Sequence, residues 1–448
     1  MAHDLAGLTE RLLAAAKTAG AETADALAVA GESLGIEVRN GALEHAERAE
    51  GIDIGLRVLI GKRQACVSSS DTRDATLAAM AERAVAMARE APEDPWCGLA
   101  DPDQLAKGWD AATLDLEDHS PLPSPAELEA TAREAEAAAM AVPGVSLMEA
   151  AGASWSRTKV HLAASNGFSG GYGRSSHAVQ AVAITGEGTD MERDYAFESR
   201  THRDDLPAPE TVGRLAGERT AARAGASKPP TGAFPVIYHE RVSSGLIGHL
   251  VSAINGTAVA RGASWLENAM GEAVLPAGLD LVEDPLRRRI GGSRPFDGEG
   301  LPVTRRYLVE NGILKSWTLD LATARQLGLK STGNAVRGAS SPPSPAAGNL
   351  ELTQGTTGFD ALLAEAGTGL LVTSMLGASI NPTTGDYSRG ASGFWFENGT
   401  IVRPVNECTI AGNLRDMLMT IRPANDARPW LGRVVPSLLV EGLVIAGD

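Results

Sequence analysis

Apolar and polar positions alternate or recur along this chain in two different periods, and the change from one to the other marks out its elements. Gly7 to Gly20 is rich in Ala and Leu and reads as an opening helix. Leu34, Ile36 and Val38 then alternate with polar residues up to Asn40-Gly41, which predicts a strand entering a tight hairpin. Ile52, Ile54, Leu56, Val58 and Ile60 alternate again, and Gly61-Lys62 turns the chain into Gln64 to Ser68, so a short antiparallel meander is expected. The period then lengthens: Leu77, Met80, Ala81, Ala84 and Ala88 share one face of a helix from about Thr72 to Arg89.

Ser124-Pro125-Ala126-Glu127 places Ser at the N-cap, Pro at the first helical position and Glu at the third. This capping box opens an Ala-rich helix that runs to about Val142. Glycine-punctuated strands fill Ser146 to Glu198, and a helix from Pro209 to Ala224 follows. Ala226 to Gly232, with Pro229-Pro230, reads as an interdomain linker, which divides the chain into domains 1–227 and 228–448. Beyond it, Phe234 to Tyr238 is a short strand leading into a helix from His239 to Ile254. Glu310-Asn311-Gly312 and Glu397-Asn398-Gly399 each lie between apolar runs and predict hairpins, so the second half is mostly antiparallel sheet. The Gly-rich segment Gly377 to Gly393 is expected to be irregular.

Length and charge narrow the function classes. At 448 residues the chain exceeds what one core normally holds. Its formal charge of −16, without long runs of one sign, disfavours binding to nucleic acid. Cys66, Cys97 and Cys408 show neither paired nor metal-type spacing, which fits a reducing cytoplasm. Met1 to Glu10 lacks the basic and apolar regions of an export signal, and no charge-free stretch of membrane-spanning length occurs, so a cytoplasmic protein without membrane association is expected.

Two places carry candidate chemistry. His239-Glu240 opens a helix, as in zinc proteases where a His binds the metal and the adjoining Glu is general base. Two adjacent residues are not a motif, however, and the spacing favours an ordinary N-terminal turn where a Glu is favoured by the helix dipole. His249, ten residues on, lies about 80° around the helix and cannot share one ion with His239. Asp386-Tyr387-Ser388-Arg389 reads as a glycine-flanked loop in which carboxylate, hydroxyl and guanidinium could meet a peptide or phosphate, or as a turn bonded to its own backbone. No Gly-x-Ser-x-Gly elbow, P-loop or dinucleotide fingerprint is present. Cys408 reads as a small buried apolar residue.

Asn381-Pro-Thr-Thr-Gly-Asp-Tyr-Ser-Arg-Gly390, running on to Gly393-Phe-Trp-Phe-Glu-Asn-Gly399, resembles the signature of the TldE/PmbA family, the partner subunit of the TldD/TldE protease. Leu56-Arg57-Val58, Ser68 to Asp71, Ala258 to Gly262, Ser331 to Ala335 and Ile410 to Leu414 resemble other blocks of that family, so the likeness spans nearly the whole chain. It implies an α+β protein of two domains, an N-terminal mixed sheet with helices and a C-terminal, strongly curved, mostly antiparallel sheet. In TldD-type relatives a His-Glu-x-x-x-His helix and a cysteine near the C-terminus hold zinc. Here Ser244 stands at the second histidine and the cysteine position falls near Leu431, so the resemblance carries over neither a catalytic residue nor a metal ligand.

The resemblance therefore implies a zinc-free subunit of a heterodimeric cytoplasmic metalloprotease, with the zinc in a TldD-type partner and unfolded peptides as substrates. His239, Glu240, Ser244, Asp386, Tyr387, Ser388 and Arg389 become candidates for a peptide cleft, and no cofactor is expected in this chain. A second reading is a homodimeric regulatory protein of the gyrase-modulator type, and a third an independent metallohydrolase using His239.

Overall fold

The computed structural model describes residues 4–447; Met1 to His3, part of the segment read for an export signal, lie outside them. The first half is built on one six-stranded sheet. After helix α1 (Leu5–Ala19) come β1 (Thr23–Arg39), β2 (Ala42–Ile60), β3 (Arg63–Ser69), α2 (Asp74–Glu90), α3 (Pro125–Met140), β4 (Leu147–Ala164), β5 (Ser169–Thr185), β6 (Glu192–Arg200) and α4 (Pro209–Ala221). The strand order is β3-β2-β1-β4-β5-β6. The expected mixed sheet is in fact antiparallel in every pairing, because short turns join β1 to β2, β2 to β3 and β4 to β5, and a hairpin can only reverse the chain. Asn40 and Gly41 take φ of 53° and 67°, the left-handed pair that a two-residue hairpin requires.

Residue parity along β1 decides what each face meets. Ala24, Ala26 and Ala28 pack under α1 and α2, while Leu34, Ile36 and Val38 pack under α3 and α4. The opposite face carries Asp25, Leu27 and Val29 toward the second half of the chain. This explains a departure from the alternation in β2, where Gly55, Arg57 and Leu59 are buried along with the apolar positions between them. A Cβ on Gly55 would lie 2.1 Å from the Ala339 carbonyl oxygen, so glycine permits the close approach of the two halves.

The second half centres on β7 (Gly232–Tyr238) and four long strands, Gly369–Ile380, Asp386–Glu397, Thr400–Asn413 and Leu438–Ala446. The Thr400–Asn413 strand pairs with Asp386–Glu397 on one side and with Leu438–Ala446 on the other, through Thr409↔Ala446 to Ala411↔Val444. Since Leu438–Ala446 also pairs with β7, the curved sheet closes into a barrel. The segment Gly377 to Gly393, expected to be irregular, is two strands around a turn. Its glycines serve curvature: register shifts interrupt the ladders, and a Cβ on Gly393 would lie 1.9 Å from the Leu371 carbonyl oxygen.

Helix α5 (Glu240–Ala253) follows β7 directly. Leu246, Ile247 and Leu250 join Tyr238, Val372, Trp395, Ile410 and Leu443 in one buried cluster. That packing fixes the helix and with it the position of His239. No helix among the described residues is long and apolar enough to cross a membrane.

Candidate functional site

The end of β7 and the start of α5 share one turn. His239 is the N-cap: its N–H donates to the Val372 carbonyl at 3.0 Å, and its Nδ1 accepts from the Arg241 N–H at 3.3 Å. The Glu240 N–H donates to Ser437 Oγ at 2.9 Å, and Ser437 Oγ donates to Asp426 at 2.7 Å. The first-turn donors are thus satisfied by the His239 side chain and by Ser437 from the C-terminal segment.

The Glu240 carboxylate lies 2.7 Å from Arg428 Nε, an ion pair whose N–H points off the hydrogen-bond line. Arg428 also lies 3.4 Å from Glu198, which binds Arg200 at 2.8 Å; Arg200 in turn covers the Trp430 ring. Arg241 turns the other way, to Asp194 at 2.5 Å, and its guanidinium sits over Tyr195. The start of α5 is therefore clamped to β6 through Asp194 and to the C-terminal loop through Arg428, which Glu198 of β6 also holds.

Electrostatics follow from that clamp. Burial, then the charges of Arg241, Arg219 and Arg428, hold the His239 imidazole down to about 4, so it is neutral at pH 7. Burial pushes the Glu240 carboxyl up, against the pull of Arg428 and Arg219. Replacing Arg428 by Met is expected to cost about 2 kcal/mol in chemical denaturation, because Glu240 would keep its burial and lose its cation. An unchanged midpoint would show that Glu240 is solvated instead.

A zinc-protease reading of His239-Glu240 calls for a metal here, and this donor set does not fit one. Position 244 is a serine, Glu240 is occupied by a guanidinium, and the charges felt by His239 are mostly positive. No group of three or more His, Cys, Asp or Glu side chains able to hold a metal occurs among the described residues. Leu431 lies in the loop that Arg428 anchors, and its carbonyl accepts from Arg287.

The second candidate cluster is elsewhere. Asp386–Arg389 begins a strand where a loop was expected, so Tyr387 and Arg389 face one side and Asp386 and Ser388 the other. The four groups do not converge. Asp386 accepts from Thr384 Oγ1 at 2.6 Å and from Asn413 at 3.3 Å, bracing the turn before it. Tyr387 is buried, accepts from the Tyr238 hydroxyl at 3.3 Å, and meets the His249 ring edge-on at 5.7 Å. Arg389 Nε donates to the Gly377 carbonyl. His249 sits about 15 Å along α5 from His239, so the two clusters occupy opposite ends of one helix. Cys408 is buried, and burial pushes its thiol up to about 11, which makes it inert.

The residues that shape the first cluster, Asp194, Glu198, Arg241, Asp426, Arg428 and Ser437, were not among the sequence candidates. Arg428 alone had a sequence signal, since it adjoins the Pro429-Trp-Leu-Gly432 segment aligned with the missing cysteine.

Domain descriptions of PmbA/TldA metallopeptidases match residues 24–88, 118–224 and 231–447, as domain 1, central domain and C-terminal domain. The chain is 36% identical to the metalloprotease PmbA of Escherichia coli over 97% of its own length and 94% of the relative's. It is 34% identical to the metalloprotease PmbA homolog of Haemophilus influenzae, over 93% and 90%. A solved structure from Bacteroides thetaiotaomicron, described as a modulator of DNA gyrase, superposes with a TM-score of 0.90 at 26% identity, over 100% of both chains. TldE from Thermococcus kodakarensis shares the fold, with a TM-score of 0.83 at 19% identity over 98% of this chain and 100% of that one. The chain belongs to the PmbA/TldD family, and relatives matching nearly its full length are PmbA proteins.

Proposed function

We propose that this chain is the zinc-free subunit of a cytoplasmic two-subunit metalloprotease. A TldD-type partner supplies the zinc, and the pair cleaves small unfolded peptides. The observation that carries this reading is the state of Glu240: at the position of a general base, its carboxylate is held by Arg428 beside a neutral His239 and a serine at 244. A carboxylate oxygen engaged by a guanidinium is not free to take a proton from an attacking water, even though burial raises its pKa. The helix survives as a structural member, clamped on both sides.

Enclosure between two such subunits gives a physical basis for selecting unfolded chains, since only an extended segment reaches a recessed metal, and backbone pairing holds it without reading its sequence. The PmbA relatives and a TldD homolog of Buchnera aphidicola, 28% identical over 44% of this chain, support a common ancestry for the two subunit types. A homodimeric modulator that never joins a protease is the second reading, favoured by the likeness to the structure described as a gyrase modulator.

Association separates the two. Co-expressed with the TldD-type protein of the same organism, this chain is expected to co-elute with it in size exclusion, at a mass fitting both chains. Elution only with itself, in the presence of excess partner, would favour the modulator.

A further inference from the structure

A cavity of about 600 Å³ lies away from α5, between the open face of the N-terminal sheet and the loops 292–298 and 335–348. That volume is in the range that holds small ligands. Leu27, Val29 and Tyr172 form one wall, and Phe296 opposite them is held edge-on by Trp109, Phe168 and Tyr172, at 4.9, 4.9 and 5.5 Å between centroids. The apolar part is therefore rigid.

Its charge is one-sided. Three guanidiniums line it, Arg174, Arg294 and Arg337, in a protein whose net charge is −16. The single carboxylate in the lining, Asp297, is turned into the wall: it accepts from the Glu299 and Leu301 N–H groups at 2.9 Å each and from Ala335 at 3.1 Å. Arg337 gives Nη1 to Asp25, but its Nε and Nη2 have no partner among the described residues, although the side chain is only 1% exposed. Neither atom has appreciable accessible surface, so Arg337 adds positive charge behind the cavity wall and makes no direct contact from it. Arg294 Nε, also buried, lacks a partner as well. Buried donors are normally satisfied, by protein, water or ligand.

We infer that this cavity binds the free carboxylate and apolar side chain of a peptide's C-terminal residue. Arg337 and Arg294 supply the charge behind the carboxylate, and the Phe296 cluster receives the side chain. Arg174 sits at the mouth, shared with a groove that continues past Arg200 to Trp430 and Leu431. A chain end seated here can extend along that groove toward the loop covering α5. The choice of a peptide end rests on the peptide-handling reading. Binding to the chain alone is measured without any partner, so failed association and failed binding are separate outcomes.

The test is calorimetric titration of the full chain with N-acetyl-L-phenylalanine, with its C-terminal amide, and with acetate. The acid is expected to bind at least about tenfold more tightly than the amide, which lacks the negative charge, and than acetate, which lacks the apolar side chain. Arg174→Met, on a partly exposed side chain, and Arg294→Met are each expected to weaken the acid about tenfold with native thermal melts. Val29→Trp, which fills the apolar wall, is expected to abolish binding. Should Arg294→Met fail to fold, Arg174→Met and Val29→Trp carry the test. Equal affinity for acid and amide, no binding of the acid, or indifference to both of those variants would overturn the assignment.

Discussion

Substitution of Asp25 by asparagine is expected to lower the unfolding free energy by about 3–5 kcal/mol, the cost of leaving buried charge without its counter-ion. Asp25 accepts from Arg57 Nε at 2.7 Å and Nη2 at 2.5 Å, and from Arg337 Nη1. All three side chains are at most 5% exposed. Arg57 belongs to β2 and Arg337 to the second half, so one carboxylate ties the two halves together. Burial alone would raise the Asp25 pKa; the charges and hydrogen bonds of Arg337 and Arg57 outweigh it and hold the carboxyl below its ordinary value. With a depressed folded pKa, this contribution is present above the unfolded value and is lost as pH falls through the folded one. Equilibrium urea unfolding at pH 7 measures the effect directly. Glu149→Gln, which breaks an exposed pair with Arg193, serves as the control and should leave the midpoint unchanged. Equal midpoints for wild type and Asp25→Asn would mean that the triad is solvated and does not join the halves.

His239 provides the second large effect, and it appears in the pH dependence. Its imidazole is held down to about 4, against about 6.5 when unfolded, first by burial and then by Arg241, Arg219 and Arg428. Between those values the unfolded chain binds a proton that the folded chain refuses, so stability falls as pH drops from about 6.5 toward 4. The full shift is reduced by solvent screening, since the side chain is 25% exposed. About 1–2 kcal/mol should be lost between pH 7 and pH 5 on this account alone. His161, His177 and His249 are also lowered and add to the wild-type slope. The informative quantity is therefore the difference from His239→Asn, which keeps a capping side chain and removes the titration. A shallower slope in the variant is expected, and parallel profiles would contradict the described burial of the imidazole.

What the sequence disclosed depended on whether a signal was local. The capping box at Ser124 and Glu127, the Asn40-Gly41 turn and the apolar stripe of α2 were all legible, because each is settled within a few residues. The Gly377 to Gly393 segment was misread because glycine has two meanings: it marks irregular chain, and it also admits a neighbouring strand closely. Only the pairing partner, Leu371 against Gly393, distinguishes them. Barrel closure was illegible for the same reason, since Thr409 and Ala446 carry no mark of being partners.

The candidate site divides similarly. His239, Glu240 and Ser244 were visible as a helix motif with one member replaced. Their clamp was not, because Asp194, Glu198, Asp426, Arg428 and Ser437 come from segments 42 or more residues before and 186 or more after Glu240, and charged residues at such separations look like ordinary surface. The Asp386–Arg389 run looked chemical because four functional groups adjoin in sequence. A strand places neighbours on opposite faces, so adjacency there works against convergence.

Zinc content and cleavage of an unfolded peptide, measured on the purified complex with a TldD-type partner and on each subunit alone, test the central claim most directly. The account predicts zinc and cleavage in the complex, neither in this chain alone, and no loss of cleavage when Glu240→Ala replaces wild type in the complex. Stoichiometric zinc or peptide cleavage by this chain alone would contradict it and return His239 and Glu240 to the centre of a catalytic site.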